Sequence, residues 1–339
     1  VHKPFIALLM VLILAGYVSR AMAQTEVNPS AEGGGGQTPQ KSEEVILLEK
    51  GGVLLPQGTV VVEPGFQYTH FSKNVLSLSG YTLFGAIHIG TIKVEDLERD
   101  IVIPSLTLRF GIFDSLEFAV KAPWFYRRDK FNWTDQGEVE EFIVSDDGLG
   151  DIEGSLYWQL VKGRGAIPDI VFNLKAKSNT GRDPYGLKTK EVEGRGTALA
   201  ELPTGTGHWG LNGGFTLVKA ADPAVLFGSV GYFYNFERDV EDFGEIDPGD
   251  SIEYSLGIAY ALNEKLSTSL SFQHRLTFET KQDGKKILGS DVNVMLIYFG
   301  VSYSPTPKTS INVSVGSGLT MDSPSVDINL SVPISFSLL

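Results

Sequence analysis

The sequence predicts an all-β fold, a transmembrane antiparallel up-and-down β-barrel of about twelve strands, and three observations predict it. From Gly58 onward apolar and polar residues alternate with period two in run after run, the pattern of a strand with two unlike faces. The runs are about 11 to 17 residues long, against roughly five or six in globular sheets, and suffice for a tilted bilayer crossing. Short turns alternate with mostly longer polar loops, the asymmetry of barrels with periplasmic turns and extracellular loops.

The elements follow in chain order. His2 and Lys3, the apolar run Phe5 to Gly16 and the small-x-small site Ala21-Met22-Ala23 make residues 1–23 a cleavable signal peptide. Its apolar core is shorter than the roughly 20 residues a spanning helix needs. Its removal takes the formal charge from −13 to −15 and sends the chain toward the outer membrane of a Gram-negative-type cell. Residues 24–57 form a flexible periplasmic segment: Gln24 to Gln40 carry a run of four glycines and no aromatic, and Ser42 to Lys50 are expected as a short helix stopped by Gly51-Gly52. The cluster Val45 to Leu48 either plugs the bore, docks at its mouth or frays.

The barrel occupies residues 58–339. Its strands are read at 59–72, 99–112, 116–127, 150–162, 168–178, 203–219, 224–237, 250–262, 265–279, 290–303, 308–319 and 325–338. In Leu116 to Arg127 one face carries Leu116, Phe118, Val120, Ala122, Trp124 and Tyr126, and the other Glu117, Lys121 and Arg127. Ile252 to Leu262 and Leu266 to Phe278 repeat the pattern. A soluble sandwich alternates too, but it has no need of two aromatic belts. Here Trp124, Tyr126, Tyr234, Phe236, Tyr254 and Phe278 fall on the long-loop side, and Phe110, Tyr260 and Phe336 on the turn side. The last run alternates to the end of the chain and needs pairing, which closure on the first strand provides. Tyr81 to Val94 also reads as a strand; it is placed in the first extracellular loop, with a fourteen-stranded barrel as the alternative.

Composition excludes several functions. A charge of −13 opposes nucleic-acid binding, and the absence of cysteine removes disulfides, thiolate metal sites and a cysteine nucleophile. No cofactor, metal centre or catalytic residue is expected. The lumen candidates are Arg109, Glu117, Lys121, Glu153, Lys175, Lys177, Glu253, Arg275 and Glu279, all opposite the apolar face. They either brace the barrel as cross-strand ion pairs or line a solute path. Acid gathers at Asp135 to Asp147 and Glu237 to Asp250, read as solvated loops, with divalent-cation binding as the alternative. His70 and Ser72 share an outer face near the rim, as in some barrel phospholipases, but no Asn or Asp is marked by position to orient the histidine.

Several segments carry a resemblance. Gly51 to Thr59 running into Val62 to His70, then Leu106 to Gly111, and Glu117 with Pro123 and Tyr126-Arg127, are among them. Gly148 to Ile152, Asn179 to Gly186, Leu202 to Gly207 and Gly318 to Pro324 continue the series. In this order they resemble the phenol meta-pathway transporter family of outer-membrane barrels. The resemblance implies uptake of small apolar or aromatic molecules, and it transfers no catalytic or substrate-binding residue. The expectation is a monomeric outer-membrane channel for passive or facilitated passage of a small hydrophobic solute. Its partners are then outer-membrane lipid, lipopolysaccharide and the solute, without nucleic acid. The rival is a non-transporting structural or surface-binding barrel.

Overall fold

The structure, a computed structural model, describes residues 53–79, 82–83, 87–88, 93–135, 138–192 and 196–338. The signal peptide, the glycine tether, the short helix over 42–50 and much of 81–94 lie outside the described residues.

Fourteen strands form one antiparallel sheet. They are β1 (Thr59–Ser79), β2 (Lys93–Phe113), β3 (Leu116–Asp135), β4 (Glu138–Leu149), β5 (Glu153–Val161), β6 (Asp169–Lys177) and β7 (Gly210–Ala221). The others are β8 (Ala224–Asn235), β9 (Ser251–Ala261), β10 (Leu266–Thr277), β11 (Val292–Thr306), β12 (Thr309–Gly318), β13 (Val326–Ser331) and β14 (Ile334–Ser337). Two lanes hold two strands each. β4 and β5 lie end to end along β3, and β13 and β14 lie end to end along β1, broken at Pro333, which has no N–H for the ladder. The sheet thus has twelve lanes, and the pairing of β1 with β13 and β14 closes it. Residues 82–83 pair only with 87–88, so they add no lane.

The strands are not of equal height. β1 and β2 run 21 residues and β3 runs 20, while β5 to β10 run 9 to 12. At about 3.3 Å per residue the surplus adds roughly 30 Å to these strands, and β4 extends it as a fourth strand. The acidic stretch after Asp135, expected as a loop, is therefore mostly strand. Conversely 203–209, expected as the start of a strand, is loop; β7 begins at Gly210.

Solvent sorts the side chains. Leu256, Val230 and Phe299 on the outer face are 63%, 54% and 53% exposed, while Glu117 and Ser310 on the inner face are 1% exposed. Large apolar residues turned outward over a whole sheet need acyl chains as their solvent. Both aromatic belts are outward and exposed, and Trp158, Trp209 and Tyr303 join them. Leu256→Arg, at the middle of β9, is expected to cost about 2–4 kcal/mol in reversible unfolding from lipid vesicles. Ser255→Arg, facing the bore, is expected to cost far less. Equal losses would invert the assignment of faces.

Candidate functional site: a partitioned bore

At the turn end the chain enters the ring before β1 begins. Leu55 N–H donates to Glu117 Oε2 (3.1 Å), and Arg109 holds the same carboxylate, Nε to Oε1 at 2.7 Å. Gln57 N–H donates to Asp114 Oδ1 (3.0 Å), and Gly58 N–H to Gly111 O (2.9 Å). Gly111 must be glycine here, because a Cβ would stand 2.2 Å from Pro56 O. Val53 packs, beside Phe227, on the cluster of Val218, Val225 and Ala259, inward residues of β7, β8 and β9. Of residues 53–57, expected in the periplasmic segment, Val53 to Leu55 thus occupy the barrel interior, with Pro56 and Gln57 exposed at its turn end. They divide it: a lower cavity of about 500 Å³ and a side cavity of about 480 Å³ share Val53, Glu63, Thr107 and Arg109 in their walls.

The bore has two unlike walls. On β10 to β13 it is hydroxyl and amide, with Ser302 donating to Asn312 (2.6 Å), Asn312 to Ser331 (3.2 Å), and Ser304 bonded to Ser310 (3.0 Å). On β2 to β6 it is ionic. Higher up, a middle cavity of about 590 Å³ is bounded by Asp327, which is 3% exposed and accepts from Gln67 (2.8 Å) and Thr69 (2.9 Å). An upper cavity of about 240 Å³ meets Glu153, Lys175, Lys177, Glu253 and Arg275. Lys177 Nζ lies 3.3 Å from Asp151, Lys175 3.8 Å from Glu153, and Arg275 Nε 2.7 Å from Glu253 Oε1.

Above this cavity the two ends of the long loop, 178–188 and 199–209, fold down as a cap. Asp151 is its anchor: Oδ1 accepts from Gly181 N–H (3.0 Å), and Oδ2 from Thr206 N–H (2.9 Å) and O–H (3.1 Å). Lys177 Nζ also reaches the Thr206 hydroxyl and His208 O (2.9 Å). Thr204 O–H donates to Leu149 O (2.7 Å), Thr180 O–H to Gly150 O (3.0 Å), and Arg182 pairs with Asp146. Gly181 and Gly205 pass so closely that a Cβ on the first would lie 2.6 Å from the Cα of the second. His208 Nδ1 faces Phe236 O at 2.9 Å, so it carries the proton, and Nε2 accepts from Tyr185 O–H. Burial pushes the His208 pKa below its ordinary value and the Tyr185 pKa above its own.

Eight of the nine lumen candidates border these cavities: Arg109 and Lys121 the lower, Arg109 and Glu117 the side, and Glu153, Lys175, Lys177, Glu253 and Arg275 the upper. Glu279 is the exception. β10 ends at Thr277, and Glu279 pairs with Lys286 (2.8 Å) in the hairpin beyond. Among the described residues no three His, Asp or Glu side chains gather as a metal site; Asp247 pairs with Lys281 and Asp146 serves the cap. The orienting carboxylate that the sequence does not mark for His70 exists: Asp100 Oδ1 lies 2.8 Å from Nδ1 and also accepts from Tyr68 O–H (2.7 Å). Among the described residues no hydrogen bond joins Ser72 to His70, so the pair reads as a rim network. Sequence reasoning missed Asp151, Asp327 and the Tyr185–His208 pair, which stand beside turn residues that explain an Asp or His without a buried role.

The sheet has counterparts among solved structures. The COG4313 outer membrane channel from Pseudomonas putida F1 superposes with a TM-score of 0.58 at 16% identity, over 83% of this chain and 97% of that one. The Pseudomonas putida toluene transporter TodX matches more loosely, with a TM-score of 0.39 at 12% identity over 87% and 93% of the two chains. The first likeness places the fold among outer-membrane barrels. The model of the family described as the MetA-pathway of phenol degradation matches residues 51–326, nearly the whole of the ring and the segment that enters it. An outer-membrane barrel of twelve lanes, entered from its turn end by its own chain, this protein belongs to that phenol-degradation family.

Proposed function

We propose that the protein is an outer-membrane channel through which small hydrophobic or aromatic solutes pass by passive or facilitated diffusion. One observation carries the reading: the ring encloses a succession of cavities of about 590, 500 and 480 Å³, where a barrel built only for structure would fill its axis with side chains. The partition at Val53 and the cap at Asp151 make the path narrow, which excludes large solutes. The family's description favours phenol-like molecules as the class. In this reading the signal peptide is cleaved after Ala23, and the outer face meets lipid and lipopolysaccharide as a monomer.

The test is reconstitution of the mature chain. Planar bilayers should show small, discrete conductance steps, and liposome swelling should proceed with single-ring solutes and fail with disaccharides. A folded barrel that passes neither ions nor single-ring solutes would favour the non-transporting, surface-binding alternative.

A further inference from the structure

The upper cavity differs from the rest of the bore in combining an apolar roof with unspent cationic donors. Its roof is Tyr185, Pro184, Ile246 and Pro248 from the loops, and Phe233 comes in from β8. At about 240 Å³ it holds about eight water-sized units of ~30 Å³, near the heavy-atom count of a single-ring acid.

The charges around it are incompletely answered. Arg275 is 56% exposed, and although its Nε stands 2.7 Å from Glu253 Oε1, that oxygen accepts no hydrogen bond. Among the described residues the guanidinium makes no hydrogen bond at all, so its planar fork of donors is available to the cavity. Lys175 approaches Glu153 only to 3.8 Å, beyond hydrogen-bonding distance. Glu153 is further surrounded by Lys177 and Lys121, its register partners on β6 and β3, and Lys177 is already committed to Asp151. Among the charged side chains that line the cavity, the cations Lys175, Lys177 and Arg275 outnumber the carboxylates Glu153 and Glu253, and Asp151, the partner of Lys177, lies outside the lining. Glu253 cannot serve a cationic ligand well, since Oε1 is buried and Oε2 accepts from Asn212 (3.3 Å).

We infer that the upper cavity is a transit site for a small aromatic carboxylate, its ring against Phe233 and Tyr185 and its carboxylate on Arg275 and Lys175. This rests on the channel reading and narrows it: an anionic amphiphile satisfies donors that a bare hydrocarbon would leave unpaired. An aromatic ammonium ion of the same size would meet Arg275 and Lys175 as repulsion.

Equilibrium binding to the full chain in detergent tests this without requiring permeation. The probes are benzoate, benzyl alcohol and benzylamine, which share a ring and differ in charge. Benzoate should bind roughly tenfold tighter than either of the others. Arg275→Gln and Lys175→Gln should each weaken benzoate several-fold and leave benzyl alcohol unchanged, while Arg275→Lys should retain part of the preference. Ser269→Ala, in the lower cavity, should have no effect. Equal binding of the three probes, preference for benzylamine, or a benzoate affinity indifferent to both glutamine variants would overturn the site. Ion conductance without benzoate preference sinks this inference alone, whereas benzoate binding without conductance sinks the channel reading and leaves a carboxylate site through which nothing passes.

Discussion

Excising residues 53–57 is expected to raise the single-channel conductance by at least about twofold, because the segment separates two cavities of nearly equal volume, about 500 and 480 Å³. The ring should survive the change. Its strands are paired without the segment, and what is lost is the burial of Leu54 and Leu55, the packing of the half-buried Val53 and a few hydrogen bonds, with burial of the order of 1.5–3 kcal/mol for each leucine. Glu117→Ala should open the bore by another route, since it removes both the acceptor for Leu55 N–H and the partner of Arg109. That variant takes the carboxylate from a half-buried guanidinium and should unfold more readily than the excision. Conductance that does not rise on excision would show that the partition lies off the conducting path.

The sheet was legible because two unlike solvents write a period of two into every crossing. Leu256 and Ser255 differ in exposure because one meets lipid and its neighbour meets the bore, and that contrast is visible in composition alone. Above the lipid the contrast lapses. The stretch after Asp135 needs no apolar outer face, so its acids disguise a strand, and β1 to β3 run past the points where alternation weakens. Pro203 and Gly205-Thr206-Gly207 sit before a readable strand and look like its lead-in; only the placement of Asp151 shows that they are bound as a loop. Long-range pairing was the other blind spot. Asp100 lies 30 residues from His70, and the register that brings them together depends on a connection whose length carries no pattern. Three of the segments that mark the family, around Gly148, Asn179 and Leu202, turn out to be one assembly rather than three turns.

That assembly should fail as a unit when Asp151 is replaced. Asp151→Ala removes the acceptor of two backbone N–H groups and a hydroxyl, and it strands Lys177 in a position that is 10% exposed. Breaking a buried pair from one side costs about 3–5 kcal/mol. Because the strands below are held by their own ladders, the loss should fall on the cap, raising its open fraction by about a hundredfold or more. Limited proteolysis within 179–209 of an otherwise intact barrel would report it, and Asp151→Asn should be intermediate, since its one amide oxygen still accepts from either Gly181 or Thr206 but not from both. Acid should loosen the same cap more gently. Burial, with Arg238 and Lys177 nearby, outweighs the Phe236 carbonyl and Asp183 and holds the His208 pKa below its ordinary value, so the closed cap binds fewer protons than the released loop. His208 therefore stabilises the cap fully above its unfolded pKa of about 6.5, and that contribution is lost as pH falls through the depressed value. Protonated Nε2 no longer accepts from Tyr185, whose raised pKa keeps its hydroxyl a donor. Cleavage in the loop should accelerate below about pH 6 in the native chain and lose much of that acceleration in His208→Gln; a cap equally resistant in Asp151→Ala would mean that other contacts hold it.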